Sequence, residues 1–159
     1  MDCDEQHEPA SIPDFLRAIG RDASDVVSGS RYLRADERDD DAPAERRRIN
    51  HELTDELNAR LGIGLTDAFC GFKAYRTAAV TGLSLDVDGY DFPLQFWVQA
   101  VAHGLRVEEI AVPRIYVDPN RSFGADLDDA DRRLALYRQT FERELVRCAT
   151  LLRARGGAR

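Results

Sequence analysis

The chain has 159 residues, of which 43% are hydrophobic and 32% are charged, and its formal net charge at pH 7 is −7. This length predicts one domain, and the apolar fraction excludes a disordered chain. The acidic balance excludes a general nucleic-acid-binding protein, because contacts to phosphates need clustered lysine and arginine.

Apolar runs and cysteines indicate the cellular compartment. No apolar run approaches the roughly 18 residues needed to cross a bilayer, and no secretory signal pattern is present, so a cytoplasmic protein without a transmembrane segment is expected. Cys3, Cys70 and Cys148 are far apart and lack CxxC spacing. This favours buried, reduced thiols over a disulfide framework or a zinc site.

The first residues read MDCDEQH and contain oxygen-bearing side chains at alternate positions. In an extended segment Asp2, Asp4 and Gln6 project to one side, because successive side chains of a strand alternate between faces. Three such ligands suit a hard cation such as Mg²⁺ or Mn²⁺. In a chain with 29 acidic residues, a solvated turn is the alternative.

A short helix and a buried strand follow. Ser11, Pro13 and an apolar set predict a helix that Gly20 ends. Residues 25–29 read as a buried strand, and Arg31 emerges from its carboxyl end, where open α/β sheets bind their ligands. The charged residues 34–45 are expected to form a loop, with which Arg31 could instead form a surface ion pair.

The middle of the chain predicts three helices. Apolar residues every fourth position over 44–61 indicate an amphipathic helix, which Gly62 ends. Residues 77–83 predict a brief helix, and residues 92–103 a longer one that stops at Gly104.

The last part predicts strands and then a long helix. The β-branched residues of 107–117 indicate a strand pair, or one strand bent at Pro113. Residues 128–154 predict one amphipathic helix rich in arginine, either a solvated face or a face for anionic lipid. Helices that alternate with short buried strands favour an α/β fold.

Four segments, in this order, resemble family 2 glycosyltransferases, and most of all their polyprenyl- or dolichyl-phosphate sugar transferases. They are MDCDEQHEP at 1–9, VVSGSRY at 26–32, DAFCGFKAYR at 67–76 and GYDF at 89–92. The resemblance implies the C-terminal portion of a nucleotide-diphospho-sugar transferase fold of the GT-A type, which is Rossmann-like. Residues 1–127 would form a partial catalytic domain, on which an amphipathic helix at 128–159 packs.

The resemblance also assigns roles to residues. It implies Asp2, Asp4 and Gln6 as ligands of Mg²⁺ or Mn²⁺ at the donor pyrophosphate. Arg31 and Asp67 are the implied catalytic residues. The implied acceptor-phosphate site consists of Arg31, Arg46, Asn50, Lys73, Arg76 and Arg121.

Several of these positions depart from the family pattern. Asn50 stands where the family has Ser, and Lys73 replaces the commoner Arg, keeping the charge without its bidentate geometry. For Lys73 and Arg76, a structural ion pair is an equal alternative to a phosphate contact. Arg121 matches only a loose pattern, and Gln95 stands where relatives often have Glu.

The implied function is metal-dependent, inverting transfer of a sugar from a nucleotide-sugar donor to a polyprenyl-phosphate or similar acceptor. Such a protein would contribute to cell-envelope glycan or glycolipid synthesis, in the cytoplasm or peripherally on the inner face of the membrane. The family's nucleotide-binding strands precede the Asp-x-Asp segment, so we expect these 159 residues alone to transfer no sugar. A non-catalytic α/β module that binds acidic ligands or another chain is the alternative.

Overall fold

The computed structural model of the protein describes residues 6–34, 42–116 and 124–156. The helices are α1 (Ile12–Gly20), α2 (Ala44–Leu61), α3 (Thr77–Val80), α4 (Phe92–His103), α5 (Ala130–Arg147) and α6 (Ala149–Gly156). The strands are β1 (Val26–Ser30), β2 (Lys73–Tyr75) and β3 (Val107–Ala111), and 3-10 turns occupy Pro9–Ser11 and Ala125–Asp128. The predicted α/β class is confirmed.

The three strands form one mixed sheet in the order β2-β1-β3. The central strand β1 pairs antiparallel with β2 and parallel with β3, in a register that sets Val26 beside both Tyr75 and Val107. Every residue of β1 is buried, which explains its continuous apolar and small-residue sequence. The carboxyl ends of β1 and β3 therefore meet at one edge of the sheet.

The strand predictions are only partly correct. Within the described part of this stretch, residues 107–116, there is a single strand that ends at Ala111, rather than a strand pair. Val112 still donates its amide to the carbonyl of Ser30, but Pro113 has no amide hydrogen with which to continue the ladder. The three-residue strand β2 is too short to show an alternating pattern, and the sequence did not predict it.

Helices α2 and α4 have the predicted bounds. Both end at a glycine in the left-handed conformation, with φ of 66° at Gly62 and 75° at Gly104. At α1 the predicted cap is wrong, because Ser11 makes no side-chain capping bond, whereas Glu8 accepts from the amide of Ala10 one turn earlier.

The predicted long C-terminal helix is two helices, which meet at Cys148. The amide of Cys148 donates to the carbonyls of Glu144 and Val146, and its φ and ψ of −94° and 5° leave the α region. After this break, α6 packs on α4, where the Arg155 guanidinium donates to the Ala102 carbonyl at 3.1 Å. A hydrogen bond to a carbonyl near the end of α4 thus accompanies the break.

Two apolar cores lie on the two faces of the sheet. The larger core includes Val26 of β1, Leu53 of α2, Trp97 of α4 and Phe141 of α5. The smaller core includes Val27 of β1 and packs against α1. Adjacent residues of β1 therefore serve opposite cores, as the alternation of side chains in a strand requires. Within the described ranges, no helix is long and apolar enough to cross a membrane.

Candidate functional site

A cleft of about 760 Å³ lies beside the carboxyl end of β1. Among the described residues, four cationic side chains and one acidic side chain line it, and they are Arg31, Arg46, Lys73, Arg133 and Asp88. Its aromatic lining consists of Phe69, Tyr75, Tyr90, Phe92, Phe96, Tyr116 and Tyr137. This lining suits a ligand that has both an anionic group and apolar surface.

Arg31 forms the most extensive polar contact at the cleft. Its Nε donates to Asp67 Oδ2 at 2.7 Å and its Nη2 donates to Asp67 Oδ1 at 3.0 Å. The Arg31 amide also donates to Asp67 Oδ2, at 3.2 Å. Burial acts to raise the pKa of Asp67, but the Arg31 guanidinium and hydrogen bonds from Arg31 and Asn50 outweigh it and lower this pKa. The pair is therefore ionised.

Asp67 itself is fixed by two further elements. The Asn50 amide of α2 donates to Asp67 Oδ1 at 2.8 Å, and Thr54 donates to Asn50 Oδ1 at 3.0 Å. On the other side, Glu109 of β3 accepts from the amide of Thr66 at 2.8 Å and from the amide of Asp67 at 3.1 Å. The segment that carries Asp67 is thereby held between α2 and β3.

Lys73 and Arg46, two of the residues that the resemblance assigns to an acceptor-phosphate site, both line the cleft. Lys73 follows Gly71 and lies on β2, where its ammonium group donates to the Cys70 carbonyl and is 5.4 Å from the Trp97 ring centroid. Arg46 is half-buried in the first turn of α2, while its neighbours Arg47 and Arg48 are exposed. Asn50 follows one turn later, and its amide group faces Asp67.

Arg76 is placed away from these residues. Its guanidinium donates to the carbonyls of Ser24 and Ile19 and forms an ion pair with Asp22 at 2.9 Å. Of the two alternatives that the sequence left open, the structure shows the ion pair. Arg76 is not among the described residues that line the cleft.

Of the three predicted metal ligands, the structure describes only Gln6. Gln6 lines the cleft, whereas Asp2, Asp4 and Arg121 lie outside the described residues. Among residues 6–34, 42–116 and 124–156, no three histidine, cysteine or acidic side chains form a metal-binding group. Asp67 already accepts five hydrogen bonds, so a metal at this cleft needs other carboxylates. Asp2 and Asp4, close in sequence to Gln6, have the right chemistry.

Arg133 is a cleft residue that the sequence analysis missed. The sequence pattern predicts it among the arginines of a solvated or lipid-facing helix, but it is 3% exposed and donates to the Glu45 carboxylate and the Leu127 carbonyl. Its position one turn before Tyr137, on the apolar face of α5, was the signal that could have identified it. Other arginines of α5 are paired as well, such as Arg138 with Glu52 and Glu56.

Known proteins have sequences similar to that of this chain. Residues 1–83 match the glycosyl transferase family 2 domain. The undecaprenyl-phosphate mannosyltransferase of Micrococcus luteus is 29% identical over 115 residues, which are 70% of this chain and 46% of that protein. The polyprenol monophosphomannose synthase of Mycolicibacterium smegmatis is 28% identical over 115 residues, which are 70% of this chain and 43% of that protein. The chain spans about half the length of these relatives.

Proposed function

The chain belongs to glycosyl transferase family 2, and from this membership we propose that it takes part in transferring a sugar from a nucleotide-sugar donor to a polyprenyl-phosphate acceptor. The names of two relatives, an undecaprenyl-phosphate mannosyltransferase and a polyprenol monophosphomannose synthase, support this acceptor class and favour mannose as the sugar. The single observation that carries the proposal is the cationic cleft at the sheet edge, into which Arg31 projects beside Lys73 and Arg46.

The charge of the cleft fits a phosphate monoester. Four cationic side chains are among the described residues that line the cleft, and two of them are paired with carboxylates, Arg31 with Asp67 and Arg133 with Glu45. This cationic lining favours an anionic group such as a phosphate monoester, which carries roughly −1.5 to −2 charge near pH 7. Arg31 is suited to a phosphate because its planar fork donates two parallel hydrogen bonds. The aromatic side chains of the same cleft would pack against the first isoprene units of the acceptor. Because this acceptor is a lipid, the reaction would take place at a membrane surface.

The chemistry proposed is direct displacement with inversion at the anomeric carbon. An oxygen of the acceptor phosphate forms the new bond to that carbon, while the bond to the donor pyrophosphate breaks and the nucleoside diphosphate leaves with the electron pair. The nucleophile is already anionic near neutral pH, so no side chain need serve as its general base. Arg31, Arg46 and Lys73 would orient the acceptor phosphate and offset its charge.

Asp2, Asp4 and Gln6 would hold a Mg²⁺ or Mn²⁺ ion that stabilises charge on the departing pyrophosphate. Binding of Mn²⁺ to the chain can be measured by the loss of the free-ion paramagnetic resonance signal. We expect the joint substitution of Asp2→Asn and Asp4→Asn to abolish this binding. Replacing Asp39 and Asp40, which lie in the acidic run at 39–41, by Asn is the matched control and should leave it unchanged. Equal Mn²⁺ binding by the two double variants would contradict this ligand set.

The proposed acceptor site is tested with farnesyl phosphate, a soluble polyprenyl phosphate, by titration calorimetry. Wild-type chain should bind it, and Arg31→Ala should weaken the affinity by at least about tenfold, the loss expected for a charged hydrogen-bond partner. Arg17→Ala, on the exposed side of α1, is the charge-matched control and should change the affinity by less than about twofold. Equal affinities for wild type and Arg31→Ala would overturn the site.

Transfer itself is measured with the same acceptor and a panel of nucleotide-activated hexoses. The sequence-based expectation that these 159 residues transfer no sugar stays a prediction, and turnover by the purified chain would contradict it. Acceptor binding without turnover is the result that this expectation requires. No binding of acceptor or donor would instead favour the alternative of a non-catalytic interaction module.

A further inference from the structure

We propose that Asp67 is a positioning residue, which contacts no substrate and acts by holding the Arg31 guanidinium in one orientation at the cleft. The inference rests on the proposed function, since Arg31 is the group that would meet the acceptor phosphate. The resemblance predicted Asp67 itself as a catalytic residue. Its side chain is instead fully buried, and it is absent from the described residues that line the cleft.

The hydrogen bonds of Asp67 leave it no capacity for a ligand. Two carboxylate oxygens offer about four lone-pair sites, and here they accept five hydrogen bonds. Three of these come from Arg31, one from the Asn50 amide and one from the backbone of Phe69. A saturated, buried carboxylate can neither take a proton from the acceptor nor coordinate a metal without breaking this arrangement.

The geometry of the pair leaves one edge of Arg31 for an anion. Asp67 occupies the edge formed by Nε and Nη2, while Nη1 has no hydrogen-bond partner among the described residues. Nη1 and the second hydrogen of Nη2 form the edge that can donate to two oxygens of one phosphate group. The Tyr32 ring, whose centroid is 5.8 Å from Arg31 Cζ, packs beside the same guanidinium. Arg31 is therefore oriented before any ligand binds.

Three elements hold Asp67 in place, so that the orientation of Arg31 is fixed by the fold. Helix α2 supplies Asn50, β3 supplies Glu109 through the backbone of Thr66 and Asp67, and the Thr66 hydroxyl meets the Ser30 hydroxyl of β1 at 2.6 Å. Preorganisation of this kind raises affinity because less freedom of the side chain is lost on binding.

The substitution Asp67→Asn separates positioning from simple electrostatics. It removes a negative charge next to Arg31, so electrostatics alone would tighten the binding of a phosphate. A positioning role predicts the opposite, a loss of about tenfold in farnesyl phosphate affinity. The reason is that Asn places an NH₂ group against the N–H groups of Arg31, so the guanidinium loses the partner that fixes its orientation. The second readout is the Arg31 Nε–H resonance, whose hydrogen exchange should be slow in wild type and fast in the variant.

A matched control exists at the other end of β1. Asp25 accepts from Arg106 Nε at 3.0 Å, from Nη2 at 2.8 Å and from the Arg106 backbone amide at 2.9 Å, which is the same pattern outside the cleft. Asp25→Asn should leave farnesyl phosphate affinity within about twofold of wild type. In an Arg31→Ala background, Asp67→Asn should cause no further loss, since it acts only through Arg31.

Arg31→Lys gives an independent test if Asp67→Asn does not fold. Lysine keeps the charge but cannot donate from two edges, so the affinity should fall nearly as far as in Arg31→Ala. Wild-type affinity in Arg31→Lys, or unchanged or tighter binding in folded Asp67→Asn, would overturn the positioning role alone. Absence of farnesyl phosphate binding by the wild-type chain would overturn the proposed acceptor site, and the positioning role with it.

Discussion

Two aspartate–arginine pairs bracket β1, and burial is what distinguishes them. Both use the same two guanidinium nitrogens and the arginine backbone amide. The side chains of Asp67 and Arg31 are 0% and 16% exposed, whereas those of Asp25 and Arg106 are 17% and 52% exposed. The same arginine donors therefore have different consequences in the two pairs. Loss of Asp67 leaves the Arg31 charge buried without its partner, whereas after loss of Asp25 water screens the charge of Arg106.

The pH dependence of stability should report Asp25. Its hydrogen bonds from Arg106 lower its pKa from 3.8 to about 2. A lowered pKa in the folded state adds stability that is present above the unfolded value and is lost as the pH falls through the folded value. We therefore expect the free energy of unfolding of wild type to fall between about pH 4 and pH 2, and Asp25→Asn to flatten this fall.

Urea unfolding of both proteins at a series of pH values measures this effect. At neutral pH the variant should lose less than about 1 kcal/mol, because the pair is partly exposed. Asp14→Asn, in an exposed pair on α1, is the control and should retain the wild-type slope. Equal slopes for wild type and Asp25→Asn would show that the pair does not lower this pKa.

At the scale of elements, the sequence predicted long helices well and short strands poorly. Helix α2 and helix α4 have four-residue apolar spacing or a dense apolar run, and each ends at a glycine, so local signals define both ends. Strand β2 has three residues, and only its pairing with β1 makes it a strand. After the break at Cys148, α6 packs on α4 and Arg155 contacts the Ala102 carbonyl, a tertiary contact that the sequence periodicity does not contain.

The sequence motifs indicated several individual cleft residues, but not the contacts that connect them. Motifs indicated Arg31, Lys73 and Arg46, which the structure brings to one cleft. The burial of Asp67 could not be predicted, since it depends on Asn50 from a helix 17 residues away along the chain. Arg133 was missed because arginine is usually exposed, and only its place on an apolar helix face indicated otherwise.

A substitution at Gly29 measures how tightly the central strand β1 is packed. A Cβ at this position would lie 3.1 Å from the Phe72 carbonyl oxygen, 3.1 Å from Val112 Cγ2 and 3.2 Å from Cys70 Sγ. Gly29→Ala should therefore lower the free energy of unfolding by about 1–3 kcal/mol in urea titration, as overpacked cores do. Gly20→Ala, which meets nothing within 4 Å, is the control and should not destabilise. Equal stability of the two variants would show that β1 can shift.

Gln95 lies in a buried polar network that joins α4 to α5. Its amide donates to Glu144 Oε1 at 3.0 Å, and the Gln99 amide donates to Glu144 Oε2 at 3.1 Å. Gln95 also accepts from the amides of Asp86 and Val87, in the segment that leads to the cleft. A glutamine at this position thus supplies the donor that a second carboxylate would lack.

Replacing Glu144 should therefore lower the stability of the folded protein. In Glu144→Gln an NH₂ group replaces one of the two oxygens that accept from Gln95 and Gln99, so one of these hydrogen bonds is lost. We expect the free energy of unfolding to fall by about 1–3 kcal/mol in urea titration. Glu142→Gln, two residues away in an exposed pair with Arg60, is the control and should cost less than about 1 kcal/mol. A cost for Glu144→Gln no larger than that of the control would mean that the network does not stabilise this packing.

At the scale of the whole molecule, β1 makes the two cores interdependent. Val26 packs in the larger core and Val27 in the smaller one, so neither core can open without disturbing the strand that serves both. Trp97 is the single tryptophan and lies in the larger core, where its ring nitrogen donates to the Ala68 carbonyl at 2.8 Å. Its fluorescence therefore reports on one core only, which allows the coupling to be measured.

We expect one cooperative transition, which substitutions in either core shift together. Phe141→Ala in the larger core and Phe72→Ala in the smaller core should each lower the free energy of unfolding by about 3–5 kcal/mol, because each leaves a cavity. In urea titrations, Trp97 fluorescence and far-ultraviolet circular dichroism should give coincident midpoints for both variants. Leu16→Ala, in the exposed part of α1, is the control, with little change expected. A Phe72→Ala protein whose dichroism falls while its Trp97 signal stays native would show that the cores unfold separately and that β1 does not couple them.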